Sequence, residues 1–453
     1  MEKKPKNKFK NLTEMPILKA IIILSIPILI TNLLQTVYQI TDTFWVGQLG
    51  KEAVAAVSIS FPIVFLIVAL GSGIGMAGSI LVAQYKGKND QKNIDFISTQ
   101  TIVGMALFGI FFTVIGVLLT EPLVTLMGVE ADVFPLAISY LFVSFLATIF
   151  TFTYSAFASL LRGIGEVKVP MIIVLITVAL NFFLDPIFIF GYGIIPASGV
   201  AGAAWATLGT TALSAIIGIF ILFRGKRGIH IKKNCCKIDF TIQKKLIGIG
   251  WPSSIEFFSH AIGMVALTFI AAIYGTIILA SFGLGIRLFS FVFMPALSVS
   301  IAVSTIIGQQ IGAKKFDLIN QTLKKASFLS FTFLTILGII LFVLAEIIVA
   351  IFVPGELEVI ANTATFIKLM ALSFGLLGIM TVMIGSIRGA GDTKKAMVLS
   401  ILLLLFQIIF AATLPIWFGV TGLWLSFPGA IILTFFIALY YAIKMNWKKS
   451  RLI

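Results

Sequence analysis

The sequence predicts an all-α integral membrane protein in which twelve transmembrane helices form two six-helix bundles related by a parallel internal repeat. Three observations predict it. Of 453 residues 59% are hydrophobic and only 11% charged, with a mean hydropathy of +1.11, whereas a soluble globular chain carries about 25% charged residues. Basic residues concentrate in alternate connections between apolar runs, and motifs of the first half recur in the second.

A spanning helix needs about 20 apolar residues, and charge clusters or Gly/Pro turns delimit twelve such segments. Span 1 covers 17 to 46 and carries Pro27; it follows a basic N-terminal segment without a small-residue cleavage site, so it reads as a retained span and not as a removed signal. Spans 2 to 6 follow at 53 to 84, 95 to 119, 134 to 160, 170 to 192 (with Pro186) and 199 to 223. A basic connection, 224 to 245, contains the vicinal Cys235 and Cys236, read as a reduced cytoplasmic pair because they match no metal-ligand or disulfide-framework spacing. Spans 7 to 12 are 246 to 273 (with Pro252), 278 to 309, 320 to 345, 361 to 387, 395 to 415 and 421 to 443. The expected organisation is an N-terminal lobe at 1–223, a cytoplasmic connecting loop at 224–245 and a C-terminal lobe at 246–453. No room remains for a soluble catalytic domain, so the chain is expected not to be an enzyme.

An even number of spans puts both termini on one side. Thirty of the thirty-three Lys and Arg residues fall on the terminus side of this arrangement, and by the positive-inside rule that side is the cytoplasm of a multi-pass cell-membrane protein. The exceptions are Lys51, Lys368 and, inside span 8, Arg287. Topology thus accounts for the net charge of +15 and removes the reason to invoke nucleic acid as a partner; the expected partners are lipid and small organic molecules.

Leu161-Arg-Gly-Ile-Gly-Glu-Val-Lys-Val-Pro-Met171 aligns with Ile387-Arg-Gly-Ala-Gly-Asp-Thr-Lys-Lys-Ala-Met397 at an offset of 226. Pro27 pairs with Pro252, Gln84 with Gln310, and the Gly199-Val-x-Gly start of span 6 with Gly419-Val-x-Gly of span 12. Six spans per repeat give both halves the same orientation.

Polar groups inside spans are the functional candidates. Thr31, Gln35, Tyr38 and Asp42 share one face of span 1, and Thr177, Asn181 and Asp185 one face of span 5. Span 6 adds Thr207, Thr211 and Ser214, and span 4 adds Tyr140, Ser144, Thr148, Thr151 and Ser155. Faces of this kind line a cavity and do not look at lipid. A carboxylate within the membrane is costly when charged and unpaired, so Asp42 and Asp185 form a candidate proton or sodium site, with Asn181 and Thr207 as neutral oxygens suited to a hard cation. The repeat maps Asp42 to Leu267 and Asp185 to Ala411; a purely architectural pair would recur in both halves, and this one does not. Gln35, Tyr38, Tyr140, Thr148 and Thr211 are the candidate substrate-cavity residues. Glu256 and His260, a turn apart on span 7, with Arg287 on span 8, form either a buried ion-pair network or a second relay or substrate site. No cofactor is expected, and no metal beyond a coupling sodium.

Together, Pro27 with Gln35-Thr-Val-Tyr-Gln-Ile-Thr-Asp42-Thr-Phe-Trp-Val-Gly, Leu161-Arg-Gly-x-Gly, Asn181-Phe-Phe-Leu-Asp185-Pro-Ile-Phe-Ile-Phe-Gly and Gly199-Val-x-Gly-Ala-Ala resemble the multidrug and toxic compound extrusion (MATE) transporters, in the branch with DinF-like and archaeal members. The resemblance covers essentially the whole chain. It implies an antiporter that exports cationic or amphipathic compounds in exchange for protons or sodium; a monomer is the expected working unit, and the unduplicated acid pair motivates the expectation that loading of the ion site rocks two lobes around a central cleft. It also implies an ion-coupling network at Asp42, Asn181, Asp185 and Thr207. Many other members carry a glutamate on span 7 eight residues after the proline; here that position is His260, with Glu256 a turn earlier. A lipid-linked saccharide flippase of the same superfamily and, from a different class, a membrane-embedded transferase are the alternatives. The first should hold several basic residues in its cleft and the second acid-rich loop motifs; the sequence offers only Arg287 and scattered single acids.

Overall fold

A computed structural model describes residues 12–232, 237–448 and 452. Cys235 and Cys236 lie outside the described residues. A short 3-10 turn, Leu12–Glu14, precedes fourteen helices. In the first half these are α1 (Ile17–Gly47), α2 (Lys51–Gly87), α3 (Gln91–Leu126), α4 (Phe134–Gly163), α5 (Lys168–Phe190) and α6 (Val200–Arg224). The second half holds α7 (Phe240–Ile273), α8 (Thr276–Gly312), α9 (Phe316–Phe352), α10 (Leu357–Ala371), α11 (Phe374–Gly389), α12 (Thr393–Thr413), the single turn α13 (Pro415–Phe418) and α14 (Val420–Lys444). Among the described residues eleven helices are long and apolar enough to cross a membrane; α10 and α11, bent by 55° at Leu372 and Ser373, together make the twelfth. The chain is an all-α, multi-pass membrane protein.

The duplication is visible in backbone geometry. α2 and α8 each have 37 residues, offset by 225. Each follows a glycine at positive φ, Gly50 (112°) and Gly275 (97°), and each leads into a non-glycine at φ 60°, Asn89 and Lys314. Gly199 and Gly419, at φ 54° and 56°, open α6 and α14. A side chain is strained at such angles, which is why the Gly-Val-x-Gly start is present in both halves.

Two compact units are present. The first comprises Pro27–Ser254, and the second residues 12–26 with Ile255–Ile453. The divisions fall inside α1 and α7, at Pro27 and two residues after Pro252, where a missing N–H and ring–carbonyl clash weaken the helix ladder. Within the first unit α4 packs on α2, α3 and α6, and α5 on α6. The start of α7 crosses α2 at a small-residue contact: a Cβ on Gly73 would meet the Gly250 carbonyl oxygen, and Ser254 Oγ donates to the Leu70 carbonyl at 2.6 Å. Within the second unit α8 packs on α9, α10 and α11, and α12 on α14, around Phe282, Phe366, Trp424 and Phe427.

α7 starts at Phe240, not at 246, because the Asp239 carboxylate accepts from the N–H groups of Thr241 and Ile242 and caps the helix. The described residues on either side of 233–236 in the connection before it dock on α3. Gln100 donates to the Lys237 carbonyl at 2.7 Å and accepts from the Asp239 N–H, while Asp95 accepts from the His230 N–H at 3.0 Å.

Candidate functional site

α1, α5 and α6 bring four polar side chains together inside the first unit. Asp42 on α1 accepts a hydrogen bond at Oδ2 from Thr207 Oγ on α6, at 3.3 Å. On α5, Asn181 and Asp185 are one turn apart, so Asn181 Nδ2 donates to Asp185 Oδ1 at 2.9 Å. Both α5 residues are fully buried, and Asp42 is close enough to Asp185 for the two charges to interact. A turn before Asp42, the Tyr38 hydroxyl is 3.0 Å from Thr210 Oγ. Thr210 donates to the backbone carbonyls of Ala206 and Thr207, which leaves Tyr38 as the donor between the two hydroxyls.

The decisive feature is a shortage of donors. Among the described residues, Asp42 Oδ1, Asp185 Oδ2 and Asn181 Oδ1 are all buried without a hydrogen-bond partner. Buried polar atoms are ordinarily satisfied, and two adjacent carboxylates without compensating positive charge are unstable in a dry site. One proton shared between the carboxyls, or one small hard cation among the oxygens, supplies what is missing. Asp42, Asp185, Asn181 and Thr207 are all oxygen donors, the set that suits sodium.

The other candidate residues divide. Tyr140 is half-buried and packs against the cluster of Val46, Ala53, Ile189, Val200 and Ala203. Gln35 is exposed on α1. Thr148 and Thr211 spend their hydroxyls on their own helices, donating to the Ser144 carbonyl (3.3 Å) and the Thr207 carbonyl (2.7 Å). Thr210 was not among the sequence candidates, because the spacing that selects Thr207, Thr211 and Ser214 passes over it. Trp45, whose indole N–H is buried without an acceptor among the described residues, was equally missed.

In the second unit the expected grouping of Glu256, His260 and Arg287 is corrected. Glu256 pairs with Arg388 at 2.6 Å, and the same oxygen accepts from Ser400 at 2.8 Å. His260 sits beside this pair, its ring 6.3 Å from that of Phe293. Arg287 is exposed elsewhere on α8. Charge counting placed Arg388 in a cytoplasmic loop, but α11 continues to Gly389 and buries it.

Comparisons with known proteins converge. The MatE family model matches twice, at residues 27–187 and 252–413, once in each half. The chain is 28% identical over 439 residues to the probable multidrug resistance protein YoeA of Bacillus subtilis, covering 94% of this chain and 93% of that protein. It is 26% identical over 439 residues to the probable multidrug resistance protein NorM of Thermotoga maritima, covering 95% and 93%. A solved structure of a MOP superfamily transporter from Pyrococcus furiosus shares the fold, with a TM-score of 0.89, 24% identity, and coverage of 97% of this chain and 98% of that one.

Proposed function

The chain belongs to the MatE family, and from that premise we propose that it is a secondary active multidrug antiporter, not an enzyme, whose coupling ion binds at Asp42, Asp185, Asn181 and Thr207. The cargo is cationic or amphipathic organic molecules and the coupling ion H+ or Na+. One observation carries the ion site: the three buried acceptors without donors on Asp42, Asp185 and Asn181. Emptied, the two carboxylates repel and their oxygens are unsatisfied; loaded, the charge is neutralised and the cluster closes. Because α1 and α5 each carry a proline, Pro27 and Pro186, loading and unloading is read as bending these helices. That bending accompanies rocking of the two lobes, which exposes the cavity residues to alternate sides.

The termini are assigned to the cytoplasm by the distribution of basic residues. The working unit is taken as a monomer, since the duplication supplies both bundles in one chain.

The test is uptake of a fluorescent organic cation into proteoliposomes under separately imposed proton and sodium gradients. One of the two gradients should drive wild-type transport, and Asp42→Asn and Asp185→Asn should each reduce it to the protein-free background while reconstituting normally. Wild-type rates in either variant would overturn the site; no gradient-driven flux in the wild type would overturn antiport.

A further inference from the structure

The last long helix of each repeat ends in the same chemistry. α6 and α14 each have 25 residues, and the one charged residue of each is its last, Arg224 and Lys444. One turn earlier stands an aromatic ring. The Arg224 guanidinium lies 4.4 Å from the centre of the Phe220 ring, and the Lys444 ammonium 4.6 Å from that of Tyr440, whose hydroxyl it also reaches at 2.8 Å. One turn earlier again come Ile216 and Phe436, 63% and 59% exposed, while Phe220 and Tyr440 are 53% and 54% exposed. The two triplets are related by an offset of 220, the one that relates Gly199 to Gly419.

Both stripes are turned away from the interior of their own bundle. Ile216 follows Thr207, which donates to Asp42, by nine residues, and Phe436 follows the buried Phe427 by nine. Nine residues make about two and a half turns, so the stripe and the inward side are on opposite faces of each helix. An apolar side chain, a ring and a cation at steps of four on an outward face follow the order of a phospholipid from acyl chain to glycerol to phosphate.

Retention of the helix end on one side of the membrane needs only the charge. The ring adds something, because it holds the cation against the outer face by its π-electrons and away from the terminal carbonyls that a basic residue often caps. Among the described residues neither Arg224 nor Lys444 has a carboxylate partner, and Arg224 has no hydrogen-bond acceptor. Their donors are open to a phosphate. Exposed Lys226 and Arg227 follow the first pair and Lys448 the second, a charge that attracts an anionic headgroup and repels the cationic end of a zwitterionic one. Unlike the acid pair, this arrangement is present in both halves, and what both bundles meet is the bilayer.

We propose that Phe220 with Arg224, and Tyr440 with Lys444, are two equivalent binding sites for an anionic phospholipid, the phosphate held by the cation and an acyl chain lying along Ile216 or Phe436. The inference goes beyond the transport reading and does not depend on it.

Native mass spectrometry of the delipidated full-length protein tests it, with phosphatidylglycerol and phosphatidylcholine of identical acyl chains added in equal amounts. The wild type should retain two molecules of phosphatidylglycerol in preference to phosphatidylcholine. Arg224→Gln and Lys444→Gln should each weaken one of the two by about fivefold, and the double variant should lose the preference. Phe220→Leu and Tyr440→Leu keep the charge and should weaken the same sites, whereas Lys226→Gln, which removes an exposed charge without a ring, should stay within twofold of wild type. Glycerol phosphate, which lacks acyl chains, should not compete. Equal retention of the two lipids by the wild type, an unchanged preference in the double variant or in both leucine variants, a loss in Lys226→Gln as large as in Arg224→Gln, or displacement by glycerol phosphate at the lipid concentration would overturn the proposal. Binding to the purified protein requires no gradient and no cargo, so a failure of antiport leaves these outcomes readable.

Discussion

Replacing Glu256 by Gln should destabilise the protein by about 3–5 kcal/mol, the cost of leaving a buried charge without its partner. The side chains of Glu256 and Arg388 are only 10% and 5% exposed, so solvent screening does little to reduce this. The amide keeps an oxygen for Arg388 Nη2 and Ser400 Oγ, and what changes is charge, not shape. Among the described residues Arg388 Nε has no acceptor, and Glu256 is the carboxylate with which the guanidinium forms an ion pair. Ser400→Ala removes one hydrogen bond to a charged group and should cost about 1.5–3 kcal/mol. The double variant Glu256→Gln with Arg388→Met buries no charge, and should cost less than the sum of the singles, since residues in direct contact are not additive. Equilibrium unfolding in mixed micelles titrated with dodecyl sulfate gives all the differences. A single-variant effect below about 1 kcal/mol, or strict additivity in the double, would refute the reasoning.

Gly73→Ala should destabilise by about 1–3 kcal/mol through overpacking, because its Cβ would strike the Gly250 carbonyl oxygen and Ser254; Gly248→Ala, with nothing within 4 Å, should be neutral in the same unfolding assay. Asp90 caps α3, and the Asn93 side chain, followed by the Asn93 N–H, holds its carboxyl below the usual range. Its contribution is therefore complete at neutral pH and lost as pH falls through the lowered value. Asp90→Ala should cost about 1 kcal/mol at pH 7, with the difference from wild type shrinking in acid, as thermal melts across pH would show.

Most of the fold was legible because membrane spans are long and the solvent imposes one rule on them. The helices outrun the apolar windows, as α9 does by starting at Phe316 and ending at Phe352, because their ends leave hydrocarbon for water and polar residues continue the same hydrogen-bond ladder. The break between α10 and α11 has no proline to announce it; Leu372 and Ser373 interrupt the ladder while the Ser373 hydroxyl and N–H both bond to the Met370 carbonyl. Asp42, Asn181, Asp185 and Thr207 were legible as a group because intramembrane polar side chains at helical spacing have few places to go. The partner of Glu256 was not. Arg388 lies 132 residues away in a stretch that charge counting assigns to a loop, and pairing between helices depends on tertiary packing that periodicity along one helix does not encode.

The ion site is tested most directly by infrared difference spectra of the reconstituted protein, recorded as the coupling ion is added and withdrawn. Loading at a shared carboxyl pair predicts a carboxyl or carboxylate band change in the wild type that is absent from both Asp42→Asn and Asp185→Asn. A band change that persists unaltered in either variant would place ion binding elsewhere in the molecule.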